Sequence, residues 1–262
     1  MFDANHAMDL VVSLIERGRY QDAVSIGKQA ISQHPHDGRL FEVTGVAYFG
    51  WGKIMKSMSQ LETATTLKPL SSIAQLTLAK CYLKTGMDES ASTIVTHLVK
   101  QCIDGIFEPA GFPALVHCLA QMRRYLDAAL VCECWTIQEP DNGHAHYGIA
   151  WYRAMGGEEL IHHIQRLEKA VELLPNNVDY RITLGFAYAD SSNIPRALGL
   201  FHEMTCEQIG CVGCPGCLGE IIDFLCRYES ADSITVTRLQ NQLVKIQNTL
   251  RKDQDKFENG SF

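Results

Sequence analysis

Apolar residues recur along this chain at the three- and four-residue steps of a helix face, and the pattern returns as a block. Val11, Gly45 and Ala79 stand 34 residues apart, as do Ala23, Ser57 and Ala91, and Pro35 and Pro69. The phrase Thr44-Gly45-x-x-Tyr48 returns as Leu78-Ala79-x-x-Tyr82 and again as Leu184-Gly185-x-x-Tyr188. Ala197-x-x-x-Phe201 and Met204 follow, and Pro140 and Pro175 are 35 apart. Any helical bundle shows the 3.6-residue period. Small, aromatic and proline positions returning at 34 residues mark a repeat.

Each block reads as two helices. Turn signals separate them at Arg17-Gly18-Arg19, Thr85-Gly86-Met87 and Gly156-Gly157. A proline closes the second helix because it cannot extend the hydrogen-bond ladder. A small residue is needed where the first helix crosses the second, which Gly45, Ala79 and Gly185 supply. Another is needed where the second helix meets its neighbour, at Ala23, Ala91, Ala128 and Ala197.

These residues resemble the tetratricopeptide repeat family, with its Leu-Gly-x-x-Tyr, Ala-x-x-x-Phe and Pro pattern. The resemblance implies an all-α, right-handed superhelical solenoid of about six helical hairpins with a C-terminal capping helix. The hairpins fall at about 4–37, 38–71, 72–105, 109–142, 144–177 and 178–210. The fourth follows an insertion, Asp104-Gly105-Ile106-Phe107-Glu108-Pro109, and Pro113 is expected to shorten its first helix. In the fifth, His163 occupies a place that prefers alanine. These two weakest repeats adjoin, and a bend between two halves is one expectation there.

In this family the first helices line a concave face, and four positions of each repeat point into it. The resemblance places there Asn5, Met8, Val12 and Ile15, then Arg39, Glu42, Val46 and Phe49, then Ile73, Leu76, Lys80 and Leu83. The last three repeats offer His117 and Ala120, Tyr152 and Met155, and Ile182 and Phe186. Val46, Phe49, Ile73, Leu76, Lys80, Leu83, His117, Tyr152, Ile182 and Phe186 form the candidate partner-binding set. The lining is apolar and aromatic, which suits an extended or helical apolar segment. Asn5, Arg39 and Lys80 do not reproduce the family's clamp for a terminal carboxylate. The competing reading is that many of these side chains only pack between adjacent repeats.

Ten cysteines change the picture at one place. Cys81, Cys102, Cys118, Cys132 and Cys134 read as small buried hydrophobes. Cys206, Cys211, Cys214 and Cys217 lie within twelve residues, in and around a turn at 211–217, and supply four thiolates of the kind a structural zinc takes. An iron–sulfur cluster is the second choice, since the fourth cysteine followed by proline is missing. Free thiols or a redox-responsive pair are the alternatives, with Cys226 and His202 as substitute ligands. The histidine pairs His34 and His36, His144 and His146, and His162 and His163 read as solvated.

After the turn, residues 218–257 are expected to be capping helices. Leu218–Glu229 presents Ile221, Ile222, Leu225 and Cys226, and a final helix presents Leu239, Leu243, Ile246 and Leu250. Solenoids need such an end to cover the last repeat's apolar side.

The 46% apolar and 20% charged content is that of a folded chain, and the net charge of -7 argues against nucleic acid. No apolar run spans a bilayer and no basic-then-apolar leader opens the chain, so a cytoplasmic location without membrane insertion is expected. Phosphate loops and nucleophile motifs are missing, so an enzyme is not expected. The expected function is a scaffold, adaptor or chaperone binding a protein or peptide. The alternative is a metal-binding or redox-responsive regulator acting through the Cys206–Cys217 turn.

Overall fold

The expected hairpins are present as antiparallel helix pairs in a computed structural model, which describes residues 3–204, 215–228 and, apart from 242, 246 and 247, 236–248. The chain divides into two compact units, Met1–Pro140 and Asp141–Phe262. The division falls between the two hairpins whose sequence pattern is weakest.

The first unit holds α1 (Ala4–Glu16) with α2 (Tyr20–Gln33), α3 (Gly38–Gly50) with α4 (Ile54–Leu67), and α5 (Ser72–Lys84) with α6 (Asp88–Ile103). Its fourth pair is α7 (Phe112–Gln121) with α8 (Tyr125–Gln138). The second unit holds α9 (Gly143–Met155) with α10 (Ile164–Leu173), α11 (Val178–Asp190) with α12 (Ile194–Glu203), and α13 (Pro215–Tyr228). No strand occurs among the described residues.

One turn geometry closes all six hairpins. The amides of Arg19, Lys53, Met87, Arg124, Glu158 and Asn193 each donate to the carbonyl five residues back, at 2.8–3.1 Å. That bond requires the residue before the donor to be left-handed, and Gly18, Gly52, Gly86 and Gly157 meet the requirement without a Cβ penalty. Arg123 (φ 56°) and Ser192 (φ 62°) take the same conformation with a side chain, at about 1–2 kcal/mol each. No glycine marks those two turns in the sequence, yet the fold makes them. Entry to the first helices is secured by side-chain caps: Asp37, Ser71, Asn142 and Asn177 accept from backbone amides of α3, α5, α9 and α11.

Small residues sit where helices cross. Gly45 lies against Leu61, and its carbonyl accepts from Ser57 Oγ at 2.8 Å. Gly185 lies against the ring of Phe201, and Gly27 against Thr44. The insertion at 104–109 contributes to the core as well as lengthening the loop. Phe107 is buried against Phe112 at 5.3 Å, and Phe112 stacks on Trp135 at 5.8 Å. α7 is three residues shorter than α5 and carries Pro113 in its first turn after a 3-10 turn over Pro109–Gly111.

The second unit closes on α13. Leu218, Ile221, Ile222, Phe224 and Leu225 are buried in one cluster with Leu184, Tyr188, Phe201 and Met204. Val236 and Leu239 join the same cluster, so the tail covers the sixth hairpin's apolar side. The helix expected from Leu218 begins earlier, at Pro215, where proline suits a first turn. Ile246 and Leu250 lie outside the described residues.

Cys81, Cys102, Cys118, Cys132 and Cys134 are buried, as small hydrophobes would be. Burial pushes all five thiols up, Cys102 and Cys132 to about 12. A thiol whose folded pKa is raised stabilises the fold below its ordinary value of 9.0, and that contribution is lost as pH climbs through the folded value. The urea midpoint should therefore fall between pH 9 and 12. At pH 8 the five thiols should resist iodoacetamide in native protein and react after unfolding. Peptide mapping reads the outcome, and labelling of Cys132 in native protein at the unfolded rate would contradict it.

Candidate partner-binding surface

In the first unit the first helices pack side by side, α1 on α3, α3 on α5 and α5 on α7. This arrangement brings Val46, Phe49, Ile73, Lys80, Leu83 and His117 to the exposed side of neighbouring helices. Ile73 is 44% exposed, Val46, Phe49 and Leu83 are half-buried, and His117 is exposed. Such half-buried apolar side chains leave surface that a partner can still remove from water.

Two of the candidate residues have no surface to offer. Leu76 is 3% exposed and Ile182 is 4% exposed, with Ile182 inside the second unit's core cluster. Both leave the partner-binding set, because neither has side-chain surface left for a partner to cover. Tyr152 is half-buried, and Phe186 is half-buried on the edge of that same cluster, 5.6 Å from Phe201.

The polar groove positions divide by their partners. Glu42 is buried and accepts from Lys68 Nζ and from the Ser71 hydroxyl, which itself caps α5. Its carboxylate therefore fastens the second hairpin to the third. Arg39 is held by both carboxylate oxygens of Asp37 and donates to Asn5 Oδ1 at 3.0 Å. The Arg39 guanidinium in turn holds the Asp37 carboxyl below its ordinary range. Lys80 has neither a hydrogen-bond nor an ion-pair partner among the described residues. Burial pushes its ammonium below the usual lysine range, with the nearby Cys118 thiol opposing. The groove's basic groups are thus one pinned arginine and one isolated lysine, not a paired carboxylate clamp.

Of the histidines read as solvated, His146 is buried and His163 is largely covered, while His144 stays exposed and still bonds a neighbouring helix. His163 Nε2 lies 2.9 Å from Glu158, which Arg153 also binds at 2.8 Å. His144 Nδ1 lies 2.6 Å from the Tyr180 hydroxyl, and His146 is buried with Arg166 at 3.3 Å. Each partner comes from a turn or a neighbouring helix, which spacing along the chain does not reveal. Tyr147 stacks on Tyr180 at 4.0 Å, so these contacts knit α9 to α11.

Of the candidate metal ligands, Cys206, Cys211 and Cys214 lie outside the described residues, as does the side chain of Cys217. Among the described residues no group of three or more His, Cys, Asp or Glu side chains could hold a metal ion. No helix among them is long and apolar enough to cross a membrane.

No family model matches the sequence, and no curated protein matches it. Solved structures do match the fold. The C-terminal part of a TPR repeat-containing protein from Cytophaga hutchinsonii is 14% identical with a TM-score of 0.67, over 95% of this chain and 98% of that one. A tetratricopeptide repeat protein from Parabacteroides merdae is 12% identical with a TM-score of 0.54, over 92% and 98%. YrrB, described as a TPR protein with an unusual peptide-binding site, is 16% identical with a TM-score of 0.50, over 68% and 90%.

Proposed function

We propose that this chain, whose fold is that of tetratricopeptide repeat proteins, is a scaffold that holds an apolar segment of a partner protein as an adaptor or chaperone. The observation that carries the reading is the row of incompletely buried Val46, Phe49, Ile73 and Leu83 on first helices packed side by side in one unit. The peptide-binding site of YrrB supports a peptide as the kind of ligand this fold takes. Its role is binding and not catalysis. Phe49 is the natural anchor, because an aromatic ring buries much area at little entropic cost.

Affinity capture with the full chain, followed by identification of the bound protein, tests this. Loss of an anchor of this kind costs about 2 kcal/mol, so Phe49→Ala should weaken the captured partner roughly 30-fold. Ile73→Asp, at an exposed position, should weaken it comparably without touching the core. Unchanged far-UV circular dichroism shows that either variant is folded. Equal partner recovery by wild type and both variants would sink the groove reading.

A further inference from the structure

A cleft of about 520 Å³ opens in the second unit between the C-terminal half of α11 and one face of α13. Phe186, Phe224 and Tyr228 form its aromatic wall, and Asp190, Glu220 and Asp223 bring three carboxylates to its rim. Glu220, Asp223, Phe224, Arg227 and Tyr228 follow steps of three, one, three and one, which puts them on one side of α13. The aromatic wall is continuous with the core: Phe224 packs 5.4 Å from Phe201 and 4.9 Å from Tyr228, and Phe186 packs 5.6 Å from Phe201. Those contacts fix the rings before any ligand arrives.

The electrostatics select a cation. Arg227 is the single basic residue on the wall and offsets one of three negative charges. Asp190, Glu220 and Asp223 have no ion-pair partner among the described residues. Asp190 ends α11, whose carboxyl-terminal carbonyls add negative partial charge at the same mouth. A divalent metal is the poorer occupant, because these carboxylates do not gather into a metal-ligand group. A compact ammonium can also sit over a ring, but it is a strongly hydrated point charge that does not present a plane to the ring and a bonding edge to a carboxylate together. A guanidinium uses both features, since its plane stacks on aromatic rings while its edge bonds carboxylates.

The geometry points to this cleft as the receptor for an arginine side chain of a partner polypeptide. The assignment deepens the scaffold reading and rests on it for the biological occupant. The binding chemistry can be examined without any partner. On the full chain, labelled with nitrogen-15, Nα-acetyl-arginine methylamide should produce saturable shifts in the backbone amides of 186–190 and 220–228. Its neutral citrulline counterpart should bind about five-fold or more weakly, as loss of a cation–π and charge contact implies. The double variant Glu220→Gln, Asp223→Asn, at two exposed positions, should lose a similar factor. Raising salt should weaken binding in wild type alone.

No saturable shift up to ~50 mM ligand, a concentration matched to side-chain affinities in the millimolar range, would overturn the assignment. So would equal shifts from citrulline, or shifts unaffected by the double variant. A silent titration removes the arginine cleft and leaves the groove reading to its own capture experiment. Equal partner recovery in that experiment, with a positive titration here, removes the groove and leaves the cleft.

Discussion

Phe201→Ala is expected to destabilise the second unit by about 4 kcal/mol, within the range for emptying a fully buried aromatic site. The ring is 0% exposed and sits where three helices meet. Gly185 of α11 approaches it so closely that a Cβ there would lie 2.7 Å from Cζ. Phe186 and Phe224 pack edge-on against it at 5.6 and 5.4 Å. Alanine removes the ring and both aromatic contacts, and the glycine crossing offers nothing to refill the space. Phe201→Leu keeps much of the volume and should lose less than half as much. Urea denaturation followed by circular dichroism measures the difference. A loss below about 1 kcal/mol would mean that the site collapses freely, contrary to the packing described.

Gly45→Val is the second large effect, expected at about 3 kcal/mol. Two opposing contributions decide its size. Replacing a helix-interior glycine gains up to about 1 kcal/mol in backbone entropy. Against that, a Cβ would stand 2.7 and 2.8 Å from Cγ and Cδ2 of Leu61, which is itself 0% exposed and has nowhere to move. Ser57, bonded to the Gly45 carbonyl, holds α4 in the same register. The steric contribution therefore outweighs the entropic one. Gly199 supplies the contrast, since it lies within α12 and a Cβ added there would meet nothing within 4 Å. Gly199→Ala should stabilise by about 0.5–1 kcal/mol, as the entropic contribution acts there alone. Chemical denaturation of the two variants beside wild type checks both signs, and matching signs would refute the crossing argument.

The hairpins were legible because their determinants are local. Gly18, Gly86 and Gly157 bring a left-handed residue to their turns, and Gly45 and Gly185 mark crossings between consecutive helices. Ile221, Ile222 and Leu225 announced an apolar helix face by spacing, and all three are buried. The turns at Arg123 and Ser192 carried no such mark, because the neighbouring helices impose the conformation that the residue itself disfavours. Phe107 looked like part of an insertion and became core, since it packs on Phe112, which in turn stacks on Trp135 of the next helix.

The candidate site was legible only to the level of a face. Position within the repeat brought Val46, Phe49, Ile73 and Leu83 to the inner side of the first helices, but it brought Leu76 and Ile182 there equally. Exposure separates them, and exposure is set by what an adjoining helix covers, which no single repeat encodes. The same holds for Glu42, whose sequence position reads as groove lining and whose carboxylate is consumed by Lys68 and Ser71, 26 and 29 residues away.

By itself, then, the sequence determined the repeat, its period and the order of its helices, because each is written in residues a few turns apart. Tertiary structure alone decided which groove positions remain open, which charges are already satisfied, and that Asp190 lines one cleft with Glu220, Asp223 and three aromatic rings. The reason is physical: burial and electrostatic field are properties of neighbours in space, and those neighbours come from other helices, as Lys68 and Ser71 do for Glu42.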